Sequence, residues 1–327
     1  MHHYIPNTEF LFVIDVGNKA AVFPLQLLGF DVDVINSVQF SNHTGYGSWN
    51  GEVLEGEKLL KLVDGMDENG LLSDEIGHVL TGYIGTESFL RAIVTIIRKM
   101  KTINPQVRYV CDPVLGDVGR FYVPQQLVQI YKDEVIPLAN VLTPNQFEVE
   151  QLSGIRIENV SDAQRACGIL HDLGVPLVLI TSIIFPTNPQ QNQDSLSIFV
   201  SERDYKPDTK SYEDMQRIIS IPKLPGQFTG TGDICAALWL ALTTNCNALS
   251  LSQKLEKLAS SMNAIVERTH TASLEKLEKQ GINLMEEQHD EGVRRKIVRS
   301  REMQLIQSAD DIINPPLKFQ ARKISIF

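Results

Sequence analysis

The sequence predicts an α/β protein built on a mostly parallel sheet with helices on both faces. Three observations predict it. Strand and helix signals alternate from residue 10 to residue 181. The strand over 177–181 is almost continuously apolar, the composition of a strand buried on both faces. The helix over 88–101 is amphipathic, as a helix lying on a sheet must be. Repeated β-α units of this kind place successive strands parallel, because each helix carries the chain back across the sheet.

In chain order, residues 10–14 read as a strand, 18–28 as a helix stopped by Gly29, and 31–36 as a β-branched strand. Another strand spans 77–83, followed by the helix over 88–101, a strand over 107–112 ending in an acid, and a short strand over 140–143. Asn145 reads as a helix N-cap with Glu148 at the third helical position, the pattern of a capping box, and Ser161 with Gln164 repeats it before a helix to Leu173. After the strand 177–181 the pattern changes. Residues 188–194 are a polar loop, and 195–201 with 215–222 form an antiparallel pair joined through 202–214. Helices are expected over 231–242, 249–268 and 272–287. Neither an internal repeat nor a strong linker divides the chain, so one α/β domain is the economical reading.

Composition bounds the function. The 327 residues are 43% hydrophobic and 21% charged, an ordinary globular balance. The formal net charge of -10 argues against nucleic acid or an anionic membrane as partner, since either needs a basic footprint. No apolar run reaches the roughly 18 residues of a membrane span, and the N-terminus lacks the pattern of a signal peptide, so the cytoplasm is the expected compartment. Cys111, Cys167, Cys235 and Cys246 form no C-x-x-C pair and read as reduced cysteines, the first three within apolar segments.

In open α/β sheets ligands bind beyond the C-terminal ends of the strands. Tyr83, Asp112, Thr143 and Thr181 each close a predicted strand, so one edge of the sheet should carry all four. Gly230-Thr231-Gly232-Asp233 leads into the apolar helix 231–242. Two glycines let backbone approach a phosphate, and the helix start aims N–H groups at it. Asp233 in the first turn is placed to take a proton from an attacking hydroxyl. The same string also reads as a glycine turn whose Asp stabilises a helix dipole. Asp112 and Asp117 flank a turn after a strand and form a carboxylate pair of the kind Mg²⁺ takes; ordinary surface acids are the alternative. Residues Asn36 to Tyr46 make a polar stretch after a strand, in which His43 by itself is more often a structural hydrogen-bonder than a catalyst. The basic run Arg294-Arg295-Lys296, with Arg299 and Arg301, reads as a solvated surface.

Together these stretches resemble the pyridoxal kinase family of the ribokinase-like superfamily. The resemblance rests on Val34 through Tyr46, Leu80-Thr81-Gly82-Tyr83, Tyr109 through Asp117, Thr143 through Glu148, and Gly230 through Asp233, and it runs from about Val16 to the C-terminus. It implies a three-layer α-β-α fold with a central, mostly parallel sheet, and ATP-dependent phosphorylation of the 5′-hydroxyl of pyridoxal, pyridoxine and pyridoxamine. It further implies Asp233 as general base, with Gly230, Thr231 and Gly232 as the anion hole around the transferring phosphate. By the same resemblance Asp117 meets Mg²⁺, while Asp112, Thr143 and Thr181 surround a monovalent cation such as K⁺ beside the nucleotide. Asn145, Glu148, Thr181 and Ser182 would face ATP or its metal, with Asp112 and Thr231 also on the nucleotide side. Thr44 and Tyr83 would meet the substrate beside Gly232 and Asp233, and residues 117–124 would form a flap. A homodimer is implied as well.

Residues 1–15 depart from the family, and 16–327 form the kinase domain of this reading. Residues 10–15 run straight into Val16-Gly17-Asn18-Lys19, without the polar serine loop that family members carry there, a junction of the kind an alternative first exon or a gene-model error leaves. Nucleotide binding should then survive while pyridoxal affinity is weakened. Another ribokinase-like kinase, or a non-catalytic isoform that binds ATP or pairs with the full-length enzyme, are the alternatives.

Overall fold

The computed structural model describes residues 9–15, 18–186, 194–206, 211–284 and 290–325. Its frame is a sheet of nine strands among those residues. In chain order they are β1 (Glu9–Asp15), β2 (Phe30–Asn36), β5 (Ile76–Thr81), β6 (Arg108–Cys111), β9 (Val141–Leu142), β10 (Leu177–Ile183), β11 (Ser195–Lys206), β12 (Ser211–Pro222) and β13 (Arg322–Lys323). Two small hairpins lie outside it, β3 (Val38–Phe40) with β4 (Gly51–Val53), and β7 (Gly116–Asp117) with β8 (Arg120–Phe121). The spatial order is β13-β12-β11-β10-β9-β6-β5-β1-β2. From β2 to β10 every pairing is parallel, and from β10 to β13 every pairing is antiparallel. The three-layer α/β expectation is met.

Strand alternation explains why helices cover both faces. On β1, Phe12 and Ile14 enter one core while Leu11 and Val13 enter the other, and all four are at most 1% exposed. Tyr109 and Cys111 divide from Val110 in the same way, as do Val178 and Ile180 from Leu177 and Leu179. One layer holds α2 (Gly56–Glu68), α3 (Glu87–Ile103), α4 (Leu127–Ile130), α5 (Gln146–Ser153) and α6 (Val160–Asp172). The opposite layer holds α1 (Asn18–Leu27), α7 (Thr231–Asn245), α8 (Leu251–Glu278) and α10 (Ala309–Ile313), and α9 (Glu291–Ser300) packs on α8. Helix α7 is buried on most of its surface, with Trp239 at its middle. Its C-terminal end is tied down by Arg108 Nη1, which donates to the Thr243 carbonyl at 3.1 Å, and by Thr244 Oγ1 against His78 Nε2 at 2.9 Å.

Several expected boundaries are corrected. The second capping box does not form at Ser161: Asn159 is the N-cap of α6, its side chain accepting from the Asp162 N–H. The connection expected over 202–214 is mostly strand, since β11 and β12 pair as far as Lys206 and Ser211. The separate helices over 249–268 and 272–287 are largely one, α8, which runs unbroken to Glu278 because no glycine or proline interrupts it. Most of the loop expected over 188–194 lies outside the described residues.

Candidate active site

The site is built where the C-terminal ends of the parallel strands meet the start of α7. Thr81 pairs with Cys111 across β5 and β6, and Cys111 with Leu142 across β6 and β9. That register brings Asp112 and Thr143, the next residues along, side by side. Thr143 Oγ1 donates to Asp112 Oδ1 at 3.2 Å, and both residues are buried.

Helix α5 contributes the second carboxylate. Its capping box forms as expected: Asn145 Oδ1 accepts from the Glu148 N–H at 3.0 Å, and Glu148 Oε2 accepts from the Asn145 N–H at 2.8 Å. The other oxygen, Oε1, accepts from the Leu115 N–H at 2.9 Å and the Gly116 N–H at 3.4 Å, while Asn145 Nδ2 donates to the Gly116 carbonyl at 2.8 Å. One cap thus also fixes the turn that follows β6. Glu148 is 3% exposed, and burial, followed by the charge of Asp112, pushes its carboxyl well above the usual range against three backbone N–H bonds. The same burial, with Asp112 again adding to it, raises the Cys235 thiol, and burial lifts Cys111 to about 12, so both remain thiols.

The Gly-Thr-Gly-Asp string forms the start of α7, as expected. Gly230 is its N-cap at φ +92°, a left-handed conformation that glycine adopts without a steric penalty, and no side chain caps the helix. A Cβ on Gly232 would lie 3.5 Å from Asp112 Oδ2, so the helix start sits directly beside the Asp112 carboxylate. A Cβ on Gly230 would lie 3.8 Å from Asp233 Oδ2, which turns that carboxylate back over the string. Thr231 Oγ1 donates to the Phe228 carbonyl at 3.3 Å.

Thr181 and Ser182 lie inside β10 instead of closing it. The β10–β11 register shifts between Ile180 and Ile183, so the two hydroxyl residues occupy a bulge. Bulges next to sites re-aim side chains. Here the Thr181 N–H donates to the Pro144 carbonyl at 2.9 Å, carrying β10 toward the start of α5. Asp117 is exposed at the β7–β8 turn, its Oδ1 accepting from the Val118 N–H at 2.8 Å. Val118 is 82% exposed at φ +47°. The Tyr122 phenol is raised by burial, then by the charges of Asp117 and Glu148 together.

Tyr83 stands two residues beyond β5, half-buried, its carbonyl accepting from the buried Ser37 hydroxyl at 3.1 Å. Thr44 is exposed in a short 3₁₀ turn, Thr44–Tyr46, capped by His43. His43 is therefore a hydrogen-bonder in this structure, as its type suggests. Three contributors carry little sequence signal. Ser37 ties Tyr83 to the loop after β2. Gln146 Oε1 accepts from the Ile184 N–H at 3.0 Å, holding the strand end beyond the bulge. Glu302 accepts from Tyr46 across 256 positions of chain, a separation no local motif reveals. In the basic run Arg294, Arg295, Lys296 and Arg299 are exposed, whereas Arg301 is half-buried against Gly226.

Fold and site together define a kinase of the ribokinase-like class. Residues 69–249 match the phosphomethylpyrimidine kinase family model. A pyridoxal kinase of Arabidopsis thaliana is 43% identical over 310 residues, 95% of this chain and 91% of that protein. The Homo sapiens pyridoxal kinase is 40% identical over 311 residues, 94% of this chain and 93% of the other. The solved pyridoxal kinase of Leishmania donovani in complex with ADP and pyridoxamine superposes with a TM-score of 0.80 at 27% identity, covering 97% of this chain and 100% of that one. The chain belongs to the pyridoxal kinase family.

Proposed function

We propose that this protein transfers the γ-phosphoryl group of ATP to the 5′-hydroxyl of pyridoxal, with pyridoxine and pyridoxamine as further substrates. The observation that carries the chemistry is the seating of the α7 start on Asp112: a Cβ on Gly232 would lie 3.5 Å from Asp112 Oδ2. The vitamin follows from the family and from a relative whose structure is solved in complex with ADP and pyridoxamine.

Phosphoryl transfer asks a protein for alignment and for charge around the transferring group. The backbone N–H groups at Gly230, Thr231 and Gly232, at the positive end of α7, face the phosphoryl oxygens. Asp233 takes the proton of the 5′-hydroxyl as the O–P bond forms, and ADP leaves with the electron pair of the broken bond. Thr44 and Tyr83 hold the ring of the vitamin. Asn145, Glu148, Thr181 and Ser182 face the nucleotide, and the β7–β8 hairpin covers it.

Asp112 and Glu148 are both buried, and the charge of Asp112 adds to the cost of ionising Glu148, which backbone N–H groups partly offset. Such a pair fits a site that takes cations. Asp117 with Asp112 would hold Mg²⁺, and Asp112, Thr143 and Thr181 a monovalent ion such as K⁺. Such ions supply the positive charge that a chain of net charge -10 does not concentrate here. In this reading residues 16–327 form one kinase domain whose sheet is completed by β1 from the segment before it, and the active form is a homodimer. No helix among the described residues is long and apolar enough to cross a membrane.

The test is Asp233→Ala in an assay of ADP release driven by pyridoxal. A positioned carboxylate gives about 10²–10⁴-fold, so turnover should fall by that factor while ATP still binds. Equal rates for the variant and the parent would remove Asp233 as the base.

A further inference from the structure

The turn that carries Thr44 buries none of its residues, so packing of its own cannot hold it. Asn42 Nδ2 ties its base by donating to the His43 and Ser48 carbonyls, and a second hold comes from the far end of the chain. Glu302 follows α9, and its Oε1 accepts from Tyr46 Oη at 3.0 Å and pairs with His43 Nε2 at 3.3 Å. The two donors pack ring against ring in a tilted pair, centroids 4.7 Å apart at 52°. His43 Nδ1 accepts from the Gly45 N–H at 3.2 Å, which leaves the ring proton of the neutral imidazole on Nε2, the atom facing Glu302. The contact with His43 holds the Glu302 carboxyl below its usual range. The Tyr46 phenol is pushed up to about 12 by burial and by the same carboxylate.

This clamp reaches the phosphate end as well. A Cβ on Gly45 would lie 2.9 Å from the His43 ring and 3.2 Å from Thr229 Oγ1, the residue before Gly230. The turn thus lies between the imidazole that Glu302 holds and the hydroxyl of Thr229, the residue that enters the Gly-Thr-Gly-Asp string. Moving the imidazole frees the turn on that side.

We infer that Glu302 is a positioning residue: through His43 and Tyr46 it fixes the turn bearing Thr44 against Thr229, and so sets the distance between the vitamin and Asp233. The inference rests on the reading of Thr44 as a substrate contact and of the reaction as pyridoxal phosphorylation. Glu302 touches neither substrate; it acts on the KM of the vitamin through the loop. Lys19 and Arg299 add their charges to the cluster, Lys19 acting on Glu302 and Arg299 on Tyr46.

Two measurements on the full chain test it. Hydrogen exchange of the peptide covering 41–48 reads the clamp without any turnover: Glu302→Ala should speed exchange there and leave α7 unchanged. Steady-state kinetics read its consequence. The KM for pyridoxal should rise about three- to tenfold, the scale of one ordinary hydrogen bond felt through the loop, while the KM for ATP stays within about twofold. Glu302→Gln, which keeps an acceptor, should recover most of the loss, and Tyr46→Phe should reproduce part of it. Unchanged exchange over 41–48 overturns the clamp whether or not the enzyme accepts pyridoxal. Faster exchange with both KM values rising together and a lower melting temperature makes Glu302 a structural residue and overturns the positioning role. A parent chain that turns over no pyridoxal fails the functional reading alone, and the exchange result still decides the clamp.

Discussion

Glu148 serves two demands that pull its charge in opposite directions. As the third residue of a capping box it accepts from Asn145, Leu115 and Gly116 N–H groups, and each of those bonds favours the carboxylate. Burial and the neighbouring Asp112 oppose ionisation, and they win: the carboxyl titrates well above its ordinary 4.5. A raised acid has a definite sign in stability. Its contribution is full below the unfolded value and is lost as pH rises through the folded one, because the unfolded chain ionises first. A cation between the two carboxylates reverses that penalty by favouring both anions. The cation-induced rise in melting temperature, measured without nucleotide, should therefore be larger at about pH 8 than at about pH 5.5 for Mg²⁺ or K⁺. Glu148→Gln should flatten the difference, and its apo melting temperature should also fall. The amide has one acceptor oxygen for three N–H groups, and an unpaired buried donor costs about 1–3 kcal/mol. Identical cation shifts at the two pH values would remove Glu148 from the cation's neighbourhood. The capping role of Glu148 was legible in the sequence; its second partner, the turn at Leu115, is 33 positions away and was not.

At the scale of elements, local signals succeeded where the cause is local. The Asn145 cap, the helix stop at Gly29 and the start of α7 each depend on a few adjacent residues, and each forms where the sequence places it. The misses have tertiary causes. Helix α2 carries Gly65 in its interior, which lowers its intrinsic propensity, and it is held by Leu59 and Val63 packing toward α3. The bulge holding Thr181 and Ser182 exists only because β11 pairs on one side and Pro144 accepts from the other. The connection between β1 and α1 is the element with a consequence for the substrate. Strand β1 ends at Asp15 and α1 starts at Asn18, leaving two residues between them, too few for the polar serine loop that the resemblance leads one to expect there. A neutral hydrogen bond contributes about 0.5–1.5 kcal/mol, so each lost contact weakens pyridoxal roughly two- to tenfold. Calorimetry should find that weakening relative to a chimera carrying the serine loop, with ATP affinity equal in both. Equal pyridoxal affinities would mean the loop's hydroxyls are replaced or not needed.

For the whole molecule, the divergence expected over residues 1–15 leaves the architecture of the strand intact. Phe10 to Ile14 keep the one property the fold demands of a strand near one end of a helix-covered sheet, apolar side chains on both faces. That is why the strand was legible although the family resemblance begins after it. Strand β1 joins β2 to β5, so without it β2 loses its neighbour and α1 loses the strand that leads into it. Leu11, Phe12, Val13 and Ile14 are at most 1% exposed, and each buried side chain of that size contributes about 1.5–3 kcal/mol. Their sum, roughly 6–12 kcal/mol, matches the whole stability of a typical domain, about 5–15 kcal/mol. A chain beginning at Val16 should therefore fail to fold as a unit and not merely lose the vitamin. Far-UV circular dichroism and an ATP-induced thermal shift measure this directly, with loss of the cooperative transition expected. A truncated chain that melts cooperatively and still answers to ATP would show that the sheet closes without β1. The phosphoryl-transfer end, which draws on β6, β9, β10 and α7, would then stand independently of the first strand.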